Sequence, residues 1–178
     1  DVYKRQATAE YALRFINQTN RSIFLTGKAG TGKTTLLKEI IRTTQKNVVV
    51  VAPTGIAALN AGGVTIHSMF QLPFAGFLPT YDRNHLSEYV RFENKGTLKR
   101  HFTMRGEKKA VIQNMELLVI DEVSMLRADM LDAIDYTLRS IRQRNIPFGG
   151  VQVLFIGDLL QLPPVVKNEE WTVLQHFY

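Results

Sequence analysis

Residues 27–34 read Gly27-Lys28-Ala29-Gly30-Thr31-Gly32-Lys33-Thr34 and satisfy the pattern G-x-x-x-x-G-K-[ST] at every fixed position. Each fixed residue has a physical task. Glycines let the backbone curl so that successive N–H groups converge on phosphate oxygens, where a Cβ would obstruct them. A helix starting near Lys33 turns its positive end toward the same anion. Lys33 is expected to reach the β- and γ-phosphates, and the Thr34 hydroxyl to ligate Mg²⁺. The expected nucleotide cradle is therefore Gly27, Lys28, Ala29, Gly30, Thr31, Gly32, Lys33, Thr34 and Thr35. With glycine near 7% of average usage, a chance match in a chain this long is on the order of one percent or below. The flanks agree. Ser22 to Thr26 (SIFLT) is a short apolar run suited to a buried strand, and Lys33 to Thr43 carries Leu36, Leu37, Ile40 and Ile41 at helical spacing.

The same alternation continues outward. Asn47 to Ala52 (NVVVVA) reads as a strand buried on both faces, and a helix starts just past Pro53, over Thr54 to Leu59. Leu117 to Ile120 (LLVI) and Val151 to Ile156 (VQVLFI) are two further strands. Between them Leu126, Met130, Ile134, Leu138 and Ile141 recur with helical period, leaving Asp129, Asp132, Asp135 and Arg139 on other faces. Upstream, Tyr11, Ala12, Phe15 and Ile16 form a helical stripe within Ala7 to Asn17, which Thr19-Asn20 breaks. Strands alternating with helices predict an α/β fold, with a mostly parallel sheet flanked by helices in three α/β/α layers. The polar, aromatic and basic stretch at about 76–110 has no clear period and reads as an insertion. Asp1 to Gln6 (DVYKRQ) matches one reading frame of a transposon end used in preparing sequencing libraries, and is set aside as a non-native scar.

The 178 residues suffice for one domain with a real core and are too few for two of ordinary size. No apolar run approaches the roughly 18–20 residues needed to span a bilayer, and no secretory leader is recognisable, so a cytoplasmic or nucleoid setting is expected. The absence of cysteine excludes disulfides, thiolate metal sites and cysteine nucleophiles. The net charge of +6 suits a polyanionic partner. Asp82 to Lys109 supplies much of it, with eight basic residues against four acidic ones. That segment reads either as a solvated loop or as a surface facing DNA or a partner.

Asp121-Glu122 closes the LLVI strand, at the carboxyl end where open α/β sheets place ligands. Asp121 is suited to hold Mg²⁺ opposite Thr34. Glu122 projects differently and is suited to orient or deprotonate an attacking water. A site that only bound nucleotide would not need this second carboxylate, so hydrolysis is expected.

The series GKAGTGKTT, APTGIAALNAGG, TIHSMF, DEVSM and GDLLQLPPV resembles, in order and spacing, the motifs of Pif-type and RecD-like DNA helicases of superfamily one. The likeness runs from Tyr11 to Val166. It implies a first RecA-like domain that binds ATP and Mg²⁺, grips single-stranded DNA, and couples hydrolysis to five-prime-to-three-prime unwinding in the complete protein. It assigns catalysis to Glu122 as base, with Lys33 and with Gln161 as sensor of the γ-phosphate. It places DNA contacts at Thr54, Gly55, Thr65 and His67. Small hydroxyl and amide groups there suit phosphate positioning. Phe70, Phe74 and Phe77 are candidates to stack bases. Such helicases serve repair, recombination, replication or telomere maintenance, and no residue here selects among those roles.

Two features depart from the pattern. No glutamine stands near Ala9 and Glu10 to read adenine, because Gln6 is too early and Gln18 too late. The chain also stops at Tyr178, before any second RecA-like domain with its phosphate-facing arginines, so slow turnover is expected. The competing readings are another P-loop ATPase, of the AAA or transport type, and a non-catalytic nucleotide-gated binding module. GDLLQLPPV and the lack of an L-S-G-G-Q signature speak against the first, and Glu122 against the second.

Overall fold

A computed structural model describes residues 2–84 and 89–178, with side chains from Gln6 onward. Asp1 of the suspected scar and Glu88 of the basic segment lie outside the described residues. The elements follow the alternation read from the sequence. They are α1 (Val2–Gln18), β1 (Ile23–Thr26), α2 (Lys33–Thr43), β2 (Val48–Ala52), α3 (Gly55–Ala61), β3 (Val64–Thr65), α4 (Ile66–Phe70), β4 (Gly76–Leu78), β5 (Phe92–Asn94), α5 (Lys95–Leu98), α6 (Gly106–Asn114), β6 (Leu117–Ile120), α7 (Ala128–Arg142), β7 (Gln152–Gly157) and α8 (Asn168–Leu174). Among the described residues no helix is long and apolar enough to cross a membrane.

Five strands form one parallel sheet in the order β1-β7-β6-β2-β3. Strand β6 is buried at every position because both of its faces are covered. Its side chains alternate between two cores. Leu117 and Val119 pack with Leu154 and Ile156 against Ile16 of α1 and Leu37 and Ile40 of α2. Leu118 and Ile120 pack with Val153 against Ile66, Ile112, Ile134 and Leu138, from α4, α6 and α7. The three-layer arrangement follows from that two-residue period. Each fully buried leucine or isoleucine contributes about 1.5–3 kcal/mol.

Strand β7 separates β1 from β6, pairing Leu154 with Ile23 on one side and Val119 on the other. The turn after β7 therefore opens between the glycine-rich loop after β1 and the carboxylates after β6.

Several expectations are corrected. The SIFLT strand, read as buried, is not. It lies at an edge of the sheet with alternating burial, and Phe24 is half-exposed. The stretch from Gly76, read as an insertion without clear period, carries regular structure, for β4 and β5 pair in parallel as a second small sheet. Leu78 and Phe92 bury there against Leu174 of α8, and Phe77, Leu98 and Ile112 join the main core. Asp129 does not occupy a solvent face of α7. It is 2% exposed and accepts the Phe77 N–H at 3.1 Å. The Arg127 guanidinium grips its carboxylate in two hydrogen bonds of 2.9 Å and turns its third nitrogen to Glu170 of α8, at 3.1 and 3.2 Å.

Candidate functional site

The turn from β1 into α2 is left-handed at Gly30 (φ +76°) and Gly32 (φ +91°), a backbone region that side-chain-bearing residues disfavour. A Cβ at Gly27 would sit 2.7 Å from the Thr31 hydroxyl oxygen, which itself donates to the Lys28 carbonyl at 2.8 Å. The Lys33 ammonium reaches back into the mouth of this loop. It donates to the carbonyls of Gly27 and Lys28, the latter at 2.8 Å. No side chain caps α2, so its first-turn N–H groups keep their donor capacity toward the loop.

Across the cleft, β6 ends in Asp121, whose Oδ1 accepts the Glu122 N–H at 2.8 Å. Burial pushes the Asp121 carboxyl above its usual range, and the Glu122 N–H and the Lys33 charge pull it back only in part. Glu122 adopts φ +52° and ψ +44°, a left-handed conformation uncommon for a non-glycine residue. The chain turns directly into a 3₁₀ turn at Val123–Met125, and Gly157 of β7 packs beneath, where a Cβ would stand 2.8 Å from Val123 Cγ1. Backbone strain of this kind concentrates at functional positions.

The turn after β7 is built by Asp158. Its side chain accepts the Leu160 N–H and its carbonyl the Gln161 N–H, both at 3.0 Å, which leaves Gln161 exposed over the cleft. Ala29, Gly30, Gly32, Lys33, Thr34, Thr35, Asp121, Glu122 and Gln161 thus line one cleft of about 400 Å³. Asp158 lines it too, a residue missed as a site member although it sits inside the quoted GDLLQ motif. No cluster of three acidic or histidine side chains that could hold a metal occurs among the described residues. Mg²⁺ does not require one, since it takes one or two carboxylates and completes its shell with phosphate and water. Thr34 and Asp121 offer the hard oxygen donors that fit it.

A second hollow of about 670 Å³ lies on the other side of the loop, with Gly27 and Thr31 in its wall. Thr8 and Ala9 of α1, with Leu25 and Leu36, complete an apolar setting of a size for a base and sugar. Gln6 also lines it, bringing a glutamine to a place where the sequence offered none, though one from the stretch set aside as foreign. Lys28 lines neither hollow and takes part through its carbonyl.

The remaining candidates gather at the carboxyl ends of the adjacent strands β2 and β3. Thr54 caps α3 by accepting the Ala57 N–H at 3.2 Å, with Gly55 opening that helix. Thr65 caps α4 by accepting the Ser68 N–H at 3.1 Å. A hydroxyl that accepts in this way keeps its own proton to donate. His67 Nδ1 lies 3.1 Å from the Leu72 carbonyl, which can only accept, so that nitrogen carries the proton. Of the three phenylalanines read as base-stacking candidates, Phe70 and Phe77 are buried in the core, at 0% and 2% exposure, and cannot serve; Phe74 is 83% exposed.

A family profile described as PIF1-like helicase matches residues 4–177. The chain belongs to that family. Over 157 residues it is 43% identical to the ATP-dependent DNA helicase PIF1 of Saccharomyces cerevisiae, spanning 85% of this chain and 16% of that protein. It is 38% identical to human ATP-dependent DNA helicase PIF1 over 151 residues, 84% of this chain and 21% of the relative. Among solved structures, Bacteroides sp Pif1 in complex with ADP-AlF4 superposes with a TM-score of 0.80 at 46% identity, covering 96% of this chain and 36% of that one. Bacteroides Pif1 bound to single-stranded DNA gives 0.78 at 45% identity, with 96% and 35% covered. This PIF1-like chain thus has the RecA-like architecture that its motifs implied, and corresponds to about a third of the solved proteins' length.

Proposed function

We propose that this chain is the ATP-binding part of a DNA-translocating motor. It binds ATP with Mg²⁺, holds single-stranded DNA at Thr54, Gly55, Thr65 and His67, and in the complete protein couples hydrolysis to five-prime-to-three-prime unwinding. The observation that carries this reading is the convergence of Lys33, Thr34, Asp121, Glu122 and Gln161 on one cleft, from three separate turns of the sheet. Lys33 and the loop N–H groups neutralise the terminal phosphates. Thr34 and Asp121 hold Mg²⁺, which when bound draws off charge developing on the phosphate oxygens. Glu122, directed by its left-handed backbone, orients the attacking water and accepts its proton. Gln161 can donate to a γ-phosphate oxygen and accept from that water, so it registers whether the phosphate is present. Relatives crystallised with ADP-AlF4 and with single-stranded DNA support the nucleotide and strand binding of this reading.

An arginine contributed from outside the cleft is worth about 10³–10⁵ in rate in related NTPases. Among the described residues no arginine lines this cleft, and the rest of the motor is expected to supply one. The test is ATP binding and turnover on this chain with Mg²⁺, with and without an oligothymidine strand, beside Lys33→Ala. Binding that vanishes in Lys33→Ala, with turnover near background, is the expected result. Many-fold stimulation by DNA would show that the site is complete without further protein, and a folded chain that binds no nucleotide would overturn the reading.

A further inference from the structure

Lys95 and Lys99 of the basic segment and Arg139 and Arg144 at the end of α7 meet in a hollow of about 710 Å³. Tyr81 and Tyr136 give it an aromatic wall. The hollow shares no lining residue with the nucleotide cleft and none with the caps of α3 and α4. Its place in the fold differs as well. Helix α7 connects two parallel strands, β6 and β7, and so runs back from the carboxyl to the amino ends of the sheet. Its last turn lies at the end remote from the nucleotide. We propose that this hollow docks an acidic, extended peptide segment of a partner protein. The proposal does not depend on the motor reading above.

Charge argues for an acidic occupant. Four basic side chains line the hollow against two acidic ones, Asp132 and Asp135. Both carboxylates already have partners. Asp135 accepts from Arg139 Nε at 2.7 Å and from the Phe148 N–H at 2.6 Å, and Asp132 accepts the Tyr178 hydroxyl at 3.0 Å. The end of α7 makes no call on the cations either, since the Gln143 and Arg144 N–H groups satisfy the Arg139 and Ser140 carbonyls. Among the described residues Lys95, Lys99 and Arg144 form no ion pair with a carboxylate. The wall beside them is preorganised. The Lys95 ammonium stands 5.8 Å from the centroid of the Tyr81 ring, and the Tyr136 hydroxyl donates to the Lys95 carbonyl at 2.8 Å. The remaining polar groups favour a peptide over DNA. Ser140, Gln143 and Asn145 line the hollow with oxygens that can accept, as can the two carboxylates. A DNA backbone carries acceptors alone and would leave these unmet, whereas each peptide unit brings both an N–H and a C=O. Acidic side chains on such a segment would answer the three cations, and an apolar one the tyrosine wall.

The test is anisotropy on this chain with a dye-labelled peptide in which runs of Asp and Glu flank a central Phe. Saturable binding is expected, displaced neither by ATP with Mg²⁺ nor by oligothymidine. Lys99→Glu/Arg144→Glu should weaken it about tenfold, since two attractions are lost and two repulsions gained. Both side chains are exposed, so neither change threatens the fold. Arg14→Glu/Lys38→Glu makes the same change of net charge at exposed positions of α1 and α2, on the other face of the sheet, and should leave binding within about twofold. A peptide that does not bind the wild-type chain would overturn the site. Equal weakening in the two double variants would overturn it too, because net charge alone would then account for the binding. Displacement of the peptide by oligothymidine or by a short DNA duplex would overturn the peptide as occupant in favour of nucleic acid.

Discussion

At Asp121 and Glu122 two neighbouring carboxylates are set apart by their surroundings. Asp121 is partly buried, and its carboxyl is pushed up because burial outweighs the help of the Glu122 N–H and the Lys33 charge. A raised carboxyl pKa in the folded state means that folding favours the protonated form, so the ionised group costs stability at neutral pH. Asp121→Asn keeps the acceptor for the Glu122 N–H and removes that cost. It is expected to melt at a higher temperature than the wild type while losing the Mg²⁺ dependence of nucleotide binding. Thermal unfolding and nucleotide titration with and without Mg²⁺ check both halves. A variant no more stable than the wild type would mean that burial of Asp121 is offset more fully than its partners suggest. That Asp121 and Glu122 stand at the cleft was legible from their place after LLVI. The left-handed backbone at Glu122 was not, because Glu is not a residue type that local sequence assigns to that region.

Among the elements, the caps of α3 and α4 and the brace at the start of α7 carry most consequence. Thr54→Ala removes the side-chain acceptor for the Ala57 N–H and is expected to cost about 1 kcal/mol of stability. Single-strand affinity should fall with it if the hydroxyl also donates to a phosphate, and denaturant unfolding with strand titration separates the two effects. Arg127→Ala leaves Asp129, 2% exposed, with the Phe77 N–H as its remaining hydrogen-bond partner among the described residues. Stranding a buried charge costs about 3–5 kcal/mol. The expected outcome is a marked drop in the unfolding midpoint, and Arg127→Ala/Asp129→Asn should recover much of it. The long runs Leu117–Ile120 and Val151–Ile156 announced β6 and β7 because four or more apolar residues bounded by turns have few alternatives. Strands β3, β4 and β5, of two or three residues each, offer too short a stretch for any period to show. Asp129 was misplaced for a related reason. Helical period puts it on a polar face of α7, but period cannot know that β4 arrives to cover that face.

Across the whole molecule the cleft forms only when the sheet is assembled, so a nucleotide that binds it stabilises the fold as a unit. At a hundred times the dissociation constant the gain is about 2.7 kcal/mol, which for a chain of this size raises the melting midpoint by roughly 5–10 °C. ATP with Mg²⁺ is expected to produce that shift in the wild-type chain and none in Lys33→Ala, read by scanning fluorimetry over a nucleotide series. A comparable shift in Lys33→Ala would place the nucleotide outside the loop. What the sequence by itself determined is the chemistry carried by contiguous words. The phosphate loop, the paired carboxylates and the GDLLQ turn each specify their residues locally, because backbone conformation and side-chain type are set within a few positions. Only the tertiary structure decided what meets what. The insertion of β7 between β1 and β6 carries Gln161 to the phosphate loop, and the packing of β4 and α8 buries Asp129 and covers Phe77. The same packing leaves Phe74 exposed against His67. Each of these depends on strand order and on contacts between distant segments, where free energy is gained by burying faces that no local pattern can pair in advance.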